Sequence, residues 1–187
     1  MSQKVIAVTG ISGVGKTTFI RKLAEKTPFQ HLTGGSLISR AQAAPAISRD
    51  VLRQFDLEEN QRLLVEGFMV TRDQYAEMVV FDGHTVIDGP DGLTTIPVDV
   101  FEALGLCLIV HLEADPAVIQ RNRKQDSHRE RPSLDIDILR NHQIFSRRHA
   151  IVVAQALGID CLVIQAEEIS KLEAYLVSLG PTTFQHE

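Results

Sequence analysis

Gly10-Ile11-Ser12-Gly13-Val14-Gly15-Lys16-Thr17 has the spacing G-x-x-x-x-G-K-[ST], and the chemistry of that spacing is the binding of phosphate. Glycines at these places let the backbone curl so that successive N–H groups point at phosphate oxygens, while a helix starting at the end of the loop adds its positive pole. Lys16 then reaches the β and γ phosphates of a nucleoside triphosphate and the Thr17 hydroxyl ligates magnesium, with Gly10, Gly13, Val14, Gly15 and Thr18 completing the cradle. For a chain of this composition a chance match is on the order of 0.3%, so the loop is read as functional and not as a flexible turn.

Met78-Val79-Val80-Phe81-Asp82-Gly83-His84 ends a second apolar burst on an acid. The carboxyl end of a buried strand is where ligands of open parallel sheets collect. Asp82 is therefore a candidate to hold magnesium through water or to orient an acceptor, and His84 a candidate acceptor contact; a turn-forming Asp-Gly pair and a loop histidine are the plainer readings. The interval Arg121 to Arg131 carries five basic residues against two acidic, a local +3 that leaves −8 on the rest of a chain whose formal net charge is −5. A basic lobe on an acidic body suits a polyphosphate ligand, against the alternative of a solvated charged helix end. The acidity of the whole speaks against a nucleic-acid partner.

These side chains need a scaffold. Apolar bursts of strand length recur at Val5 to Thr9, Val79 to Phe81, Cys107 to Leu112 and Cys161 to Ile164, with a shorter one at Gln30 to Thr33. The alternation with polar or helical sequence predicts an α/β fold, a five-stranded parallel sheet flanked by helices. Helices are predicted over Thr17 to Lys26, Leu57 to Met78 and Leu134 to Ala156, the last stopped by Gly158. At 187 residues, 44% hydrophobic and 23% charged, the chain fits one domain and excludes disorder or a disulfide miniprotein. Cys107 and Cys161 fall inside apolar bursts and read as buried free thiols. No apolar run reaches membrane-spanning length and the N-terminus lacks a signal-peptide pattern, so a cytoplasmic protein without a membrane partner is expected.

A phosphate cradle serves switches, pumps and kinases alike. The chain has no Asn-Lys-x-Asp guanine reader, and its length leaves no room for the helical lid domain of a mechanical ATPase. Small-molecule phosphoryl transfer remains.

Beyond the loop, the residues resemble the nucleoside monophosphate kinases, and within them the archaeal-type adenylate kinases. Val5 to Thr18 is similar to that family's opening strand and loop, with Ser12 where many members carry proline. Asp82 to Leu93 is similar to an Asp-x-His followed by Pro-x-Gly and an apolar residue, and Leu112 to Pro116 to the segment after the fourth strand. Arg129-Glu130-Arg131, followed by His142-Gln143 and Arg147, resembles the short lid and the helix behind it. The likeness runs from Lys4 to about Ile164. It implies a single P-loop kinase domain with a P-loop NTPase core, a helical acceptor-binding segment at about 34–72 and a short lid at about 121–132. It also implies ATP and Mg2+ as cofactors and small-molecule nucleotides as partners; a homo-oligomer, which related archaeal enzymes can form, stays open.

The resemblance assigns roles as well. Thr33 to Arg40 is similar to an acceptor motif Thr-Gly-Asp-x-x-Arg, with Arg40 later than in that pattern, so Gly35, Ser36 and Arg40 join Asp82 and His84 as expected acceptor contacts. In-line transfer requires that both partners be positioned and spreading charge neutralised, and the arginine fork grips phosphate while staying charged. Arg123, Arg129 and Arg131 are expected to form the lid clamp, with Arg147 from the following helix and Lys16 from the loop. Thr17 and Asp82 are the expected magnesium ligands. The expected reaction moves phosphate from ATP to a nucleoside monophosphate, AMP first of all, giving two ADP. The residues also admit a nucleotide-binding regulatory ATPase with weak or lost kinase activity, and a kinase for another small metabolite.

Overall fold

The structure, a computed structural model, describes residues 3–42, 57–89, 92–125 and 135–178. In chain order its first half comprises β1 (Lys4–Thr9), α1 (Lys16–Ala24), β2 (Gln30–Thr33), α2 (Gly34–Ala41), α3 (Leu57–Thr71) and β3 (Met78–Asp82). Then follow β4 (Val86–Gly89), β5 (Gly92–Thr95), α4 (Val98–Leu104), β6 (Leu108–Glu113), α5 (Pro116–Gln125), α6 (Ile136–Leu157), β7 (Asp160–Gln165) and α7 (Ile169–Ser178).

Strands β2, β3, β1, β6 and β7 lie side by side in that order, every pair parallel. Parallel strands covered on both faces read as continuous apolar runs, and the alternation of side chains divides them between two cores. Val5, Ala7, Val79, Phe81 and Ile109 face one way, packed with residues of α2, α3, α4 and α6. Ile6, Val8, Val80, Leu108, Val110 and Leu112 face the other, packed with α1, α5 and α7. The chain leaves β1 for β3 and β2 on one side and reaches β6 and β7 on the other. That makes β1 the strand at which the order reverses, and the crevice beyond its carboxyl end the natural ligand site.

The α/β architecture and its five parallel strands agree with the sequence. Two features do not. The helix expected to run to Met78 stops at Thr71, because Asp73 turns the chain: its Oδ1 accepts from the Tyr75 N–H at 2.9 Å, and Gln3 Nε2 donates to the carbonyls of Asp73 (2.6 Å) and Ala76 (2.7 Å). Met78 is then free to start β3 in the core. Downstream of His84 the chain forms an antiparallel hairpin, β4 with β5, which sequence reasoning did not anticipate. Gly158 stops α6 as expected, with φ 66°. Both cysteines are half-buried free thiols, and burial pushes Cys161 up to about 11. Among the described residues no helix is long and apolar enough to cross a membrane.

The part of the expected acceptor-binding segment that is described consists of α2 laid against α3. They touch at Gly67, where an added Cβ would stand 2.1 Å from the Leu37 carbonyl oxygen. In an open helix, glycine to alanine stabilises by about 1 kcal/mol; here the backbone atom cannot yield. Gly67→Ala is expected to destabilise the protein by about 3 kcal/mol, read as a lowered urea midpoint, and a raised midpoint would mean that the two helices are not in contact.

Candidate active site

Thr9 closes β1 and the chain turns at Gly10, φ 135°, where a Cβ would lie 2.7 Å from the Leu112 carbonyl oxygen. Gly13, φ 90°, is equally confined: a Cβ there would meet Arg123 Cγ at 2.9 Å and Ile119 at 3.2 Å. The glycines therefore permit both the left-handed turns and the pressing of the loop against β6 and α5. Gly15 caps α1 with no side-chain hydrogen bond, so the first N–H groups of the helix are left for an anion. Lys16 Nζ folds back to donate to the carbonyls of Gly10 (2.7 Å) and Ile11 (3.3 Å). Thr17 and Thr18 stand exposed on the first turn.

Parallel register brings the next acid to this loop. Asp82 pairs with Val8 on one side and Thr33 on the other, at the carboxyl edge of the sheet. His84 Nδ1 is 2.9 Å from the same Gly10 carbonyl that Lys16 holds, and His31 Nε2 is 3.7 Å from Asp82 Oδ2. Burial would raise the Asp82 pKa, but the hydrogen bond from His31 and the positive charges of Lys16, His84 and His31 outweigh it and hold the carboxyl below its ordinary value. The donor set fits Mg2+: a hydroxyl at Thr17 and an ionised carboxylate at Asp82 are hard oxygens, and magnesium takes one or two such ligands together with phosphate oxygens and water.

Other expected residues are distributed around this centre. Arg123 stands on the last turn of α5, where its Nε donates to the Ser12 carbonyl at 2.8 Å and Asn122 Nδ2 to that of Gly13 at 2.9 Å. Arg121 to Gln125 thus belong to α5. Arg147, on α6, places Nη1 3.2 Å from Glu113 Oε2 at the end of β6. The Ser36 hydroxyl is engaged in a capping box with Thr33 at the start of α2; Gly35 lies in the same first turn, and Arg40 is exposed in the last. Arg129 and Arg131 lie outside the described residues.

Sequence reasoning missed His111. It is 1% exposed in β6, its Nδ1 hydrogen-bonded to the Thr9 hydroxyl at 2.9 Å, and its Nε2 meets no partner among the described residues. The signal was legible: a single polar residue in the run Leu108 to Leu112 must find a hydrogen bond when buried. Burial, with the charges of Lys16 and Arg147, lowers its pKa to about 4. The unfolded chain takes up a proton near pH 6.5, the folded protein only near 4. The stabilisation from keeping His111 neutral is therefore complete above about pH 6.5 and lost as pH falls toward 4, a span on the order of 3 kcal/mol. His111→Asn, which keeps a partner for Thr9, is expected to flatten the pH dependence of the urea midpoint over that window. An unchanged slope would assign the titration elsewhere.

With the geometry in place, comparison adds relatives. The family described as AAA domain matches residues 9–140. An adenylate kinase of Saccharolobus solfataricus is 32% identical over 181 residues, covering 88% of this chain and 92% of that protein. The adenylate kinase of Thermoplasma volcanium is 28% identical over 166 residues, 86% and 90% of the two chains. A solved shikimate kinase from Acinetobacter baumannii, in complex with shikimate, is similar with a TM-score of 0.61 at 16% identity over 96% of each chain. That likeness is one of fold alone.

Proposed function

We propose, from the premise that the chain belongs to the AAA domain family and to the P-loop kinases of the archaeal adenylate kinase type, that it transfers the γ-phosphoryl group of ATP to a nucleoside monophosphate, AMP above all. The observation that carries this reading is the convergence on one carbonyl. Lys16 Nζ and His84 Nδ1 both meet the Gly10 oxygen, with the ionised Asp82 beside them, at the carboxyl end of the strand where the sheet order reverses.

The chemistry asked of these residues is positioning and charge neutralisation. The loop N–H groups and the start of α1 hold the phosphates of ATP, and Lys16 exchanges its loop carbonyls for phosphate oxygens. Thr17 and Asp82 would hold Mg2+, which would supply charge neutralisation to the phosphates. Arg147 reaches in from α6, with Arg129 and Arg131 expected to close over the nucleotides; Arg123 braces the loop from α5. Gly35, Ser36, Arg40 and His84 serve the acceptor. The cytoplasm, where ATP and Mg2+ are plentiful, is the location that suits this role.

The test is ADP formation by purified protein with Mg2+ and ATP, offered AMP, CMP, UMP, GMP, dTMP and, because of the shared fold, shikimate. Rapid turnover with AMP alone supports the reading. Turnover with shikimate in place of any monophosphate would overturn the acceptor, and tight ATP binding with only slow, acceptor-independent hydrolysis would make the protein a nucleotide-dependent regulator.

A further inference from the structure

Arg147 is engaged by a carboxylate at the end of β6. Its Nη1 is 3.2 Å from Glu113 Oε2, and the two side chains are 40% and 25% exposed. Glu113 and the buried His111 are two residues apart on β6 and so face the same side of the sheet, the side that α6 covers. Both Arg147 and the loop lysine Lys16 act electrostatically on His111. Both cations therefore stand near the same buried ring.

The helix beneath it is fixed. Gln143 grips the backbone of Ala114 twice, Oε1 accepting from the N–H at 3.0 Å and Nε2 donating to the carbonyl at 2.8 Å. One turn on, the Thr85 hydroxyl donates to the Ser146 carbonyl at 3.1 Å. A redirected Arg147 must then move its side chain and not its helix. An open groove of about 490 Å³, lined in part by Glu113, Arg140, Gln143 and Arg147, gives it the space.

We infer that Glu113 is a positioning residue: it retains Arg147 when ATP alone is bound and yields it only when the acceptor's phosphate adds its charge to that of the γ-phosphate. An ion pair exposed to this degree is weak enough to be broken by a stronger partner, and two phosphates offer the arginine fork better oxygens than one carboxylate. Without the acceptor, water is the competing nucleophile, giving ADP and inorganic phosphate. Holding the clamp back keeps that reaction slow. The inference rests on the reading of Arg147 as a clamp for a phosphorylated acceptor.

The experiment separates the two. In Glu113→Gln, phosphate release from ATP without acceptor is expected to rise about two- to fivefold, the range for a partly exposed ion pair, while saturated ADP formation with AMP stays within about twofold of the parent. Glu113→Asp, which keeps the charge, should restore slow hydrolysis, and in an Arg147→Ala background Glu113→Gln should change nothing. Unchanged or slower phosphate release in Glu113→Gln, or an equal rise when Arg147 is absent, would overturn the role of Glu113. Undiminished transfer to AMP in Arg147→Ala alone would instead overturn the clamp on which it rests.

Discussion

Lys16→Ala is expected to lower the turnover of ATP with AMP by about 10³-fold and to leave the fold standing. The ammonium donates to the carbonyls of Gly10 and Ile11 at 2.7 and 3.3 Å. Exchanging them for phosphate oxygens costs little, because one charge-assisted set of hydrogen bonds replaces another. The charge that develops as the phosphoryl group leaves ADP then has a cation already in place, and removing such a donor costs about 3–4 kcal/mol of transition-state stabilisation. Alanine is a good residue for the first turn of α1, so the thermal midpoint should move by only a few degrees. Lys16→Arg should not rescue, since a planar fork cannot replace a point charge in a loop this confined, where a Cβ on Gly10 or Gly13 would already collide. The check is steady-state ADP formation beside calorimetric ATP binding. A variant retaining more than about a tenth of parent turnover would remove Lys16 from the chemistry.

The contrast between Lys16 and His111 shows what a sequence discloses. The geometry of the loop was legible because it is local: eight consecutive residues specify a turn, a helix start and a cation, and no other part of the chain is needed to recognise them. Asp82 was legible by one further step, since a parallel strand carries its carboxyl end to the ligand edge wherever it sits in the order. His111 and Thr9, by contrast, meet across 102 positions, Asn122 and Gly13 across 109, and Arg147 and Glu113 across 34. Nothing in the local sequence of either partner names the other. Only the placement of β6 beside β1, of α5 against the loop and of α6 over β6 creates those pairs.

The fold shows the same division. Buried strands announce themselves by continuous apolar runs, and all five were found within about a residue or two of their ends. The end of α3 was missed because a single side chain decides it: Asp73 closes the turn, and the helical pattern alone continues to Met78. The pairing of β4 with β5 was missed because each strand is only four residues long, too short to establish a period of two. The contact of Arg123 Nε with the Ser12 carbonyl follows from a helix that extends to Gln125, an end that charge alone does not mark.

Asp82→Asn is the second large effect expected, a fall in turnover of about 10²- to 10³-fold with the magnesium dependence displaced to higher concentration. The substitution is isosteric, so the packing of β3 between β1 and β2 is preserved, and what changes is one charge. His31, Lys16 and His84 all stabilise the ionised form, enough to overcome the burial that favours the acid. The sign follows from that direction. A carboxyl held below its ordinary value contributes fully at every pH above that value and is lost only as pH falls through the lower one, so no loss of rate between pH 8 and 5 belongs to Asp82. A decline there in the parent protein would belong to another group. The amide keeps the size and the hydrogen-bonding capacity of the side chain but offers Mg2+ no negative oxygen, so its deficit should narrow as the metal concentration rises. If Asp82 were instead a structural acid, pairing His31 at the sheet edge, the variant would unfold at lower urea while retaining parent turnover and an unshifted magnesium midpoint. The two measurements therefore move in opposite senses for the two roles, and a variant with normal stability and an altered metal dependence places Asp82 in the chemistry.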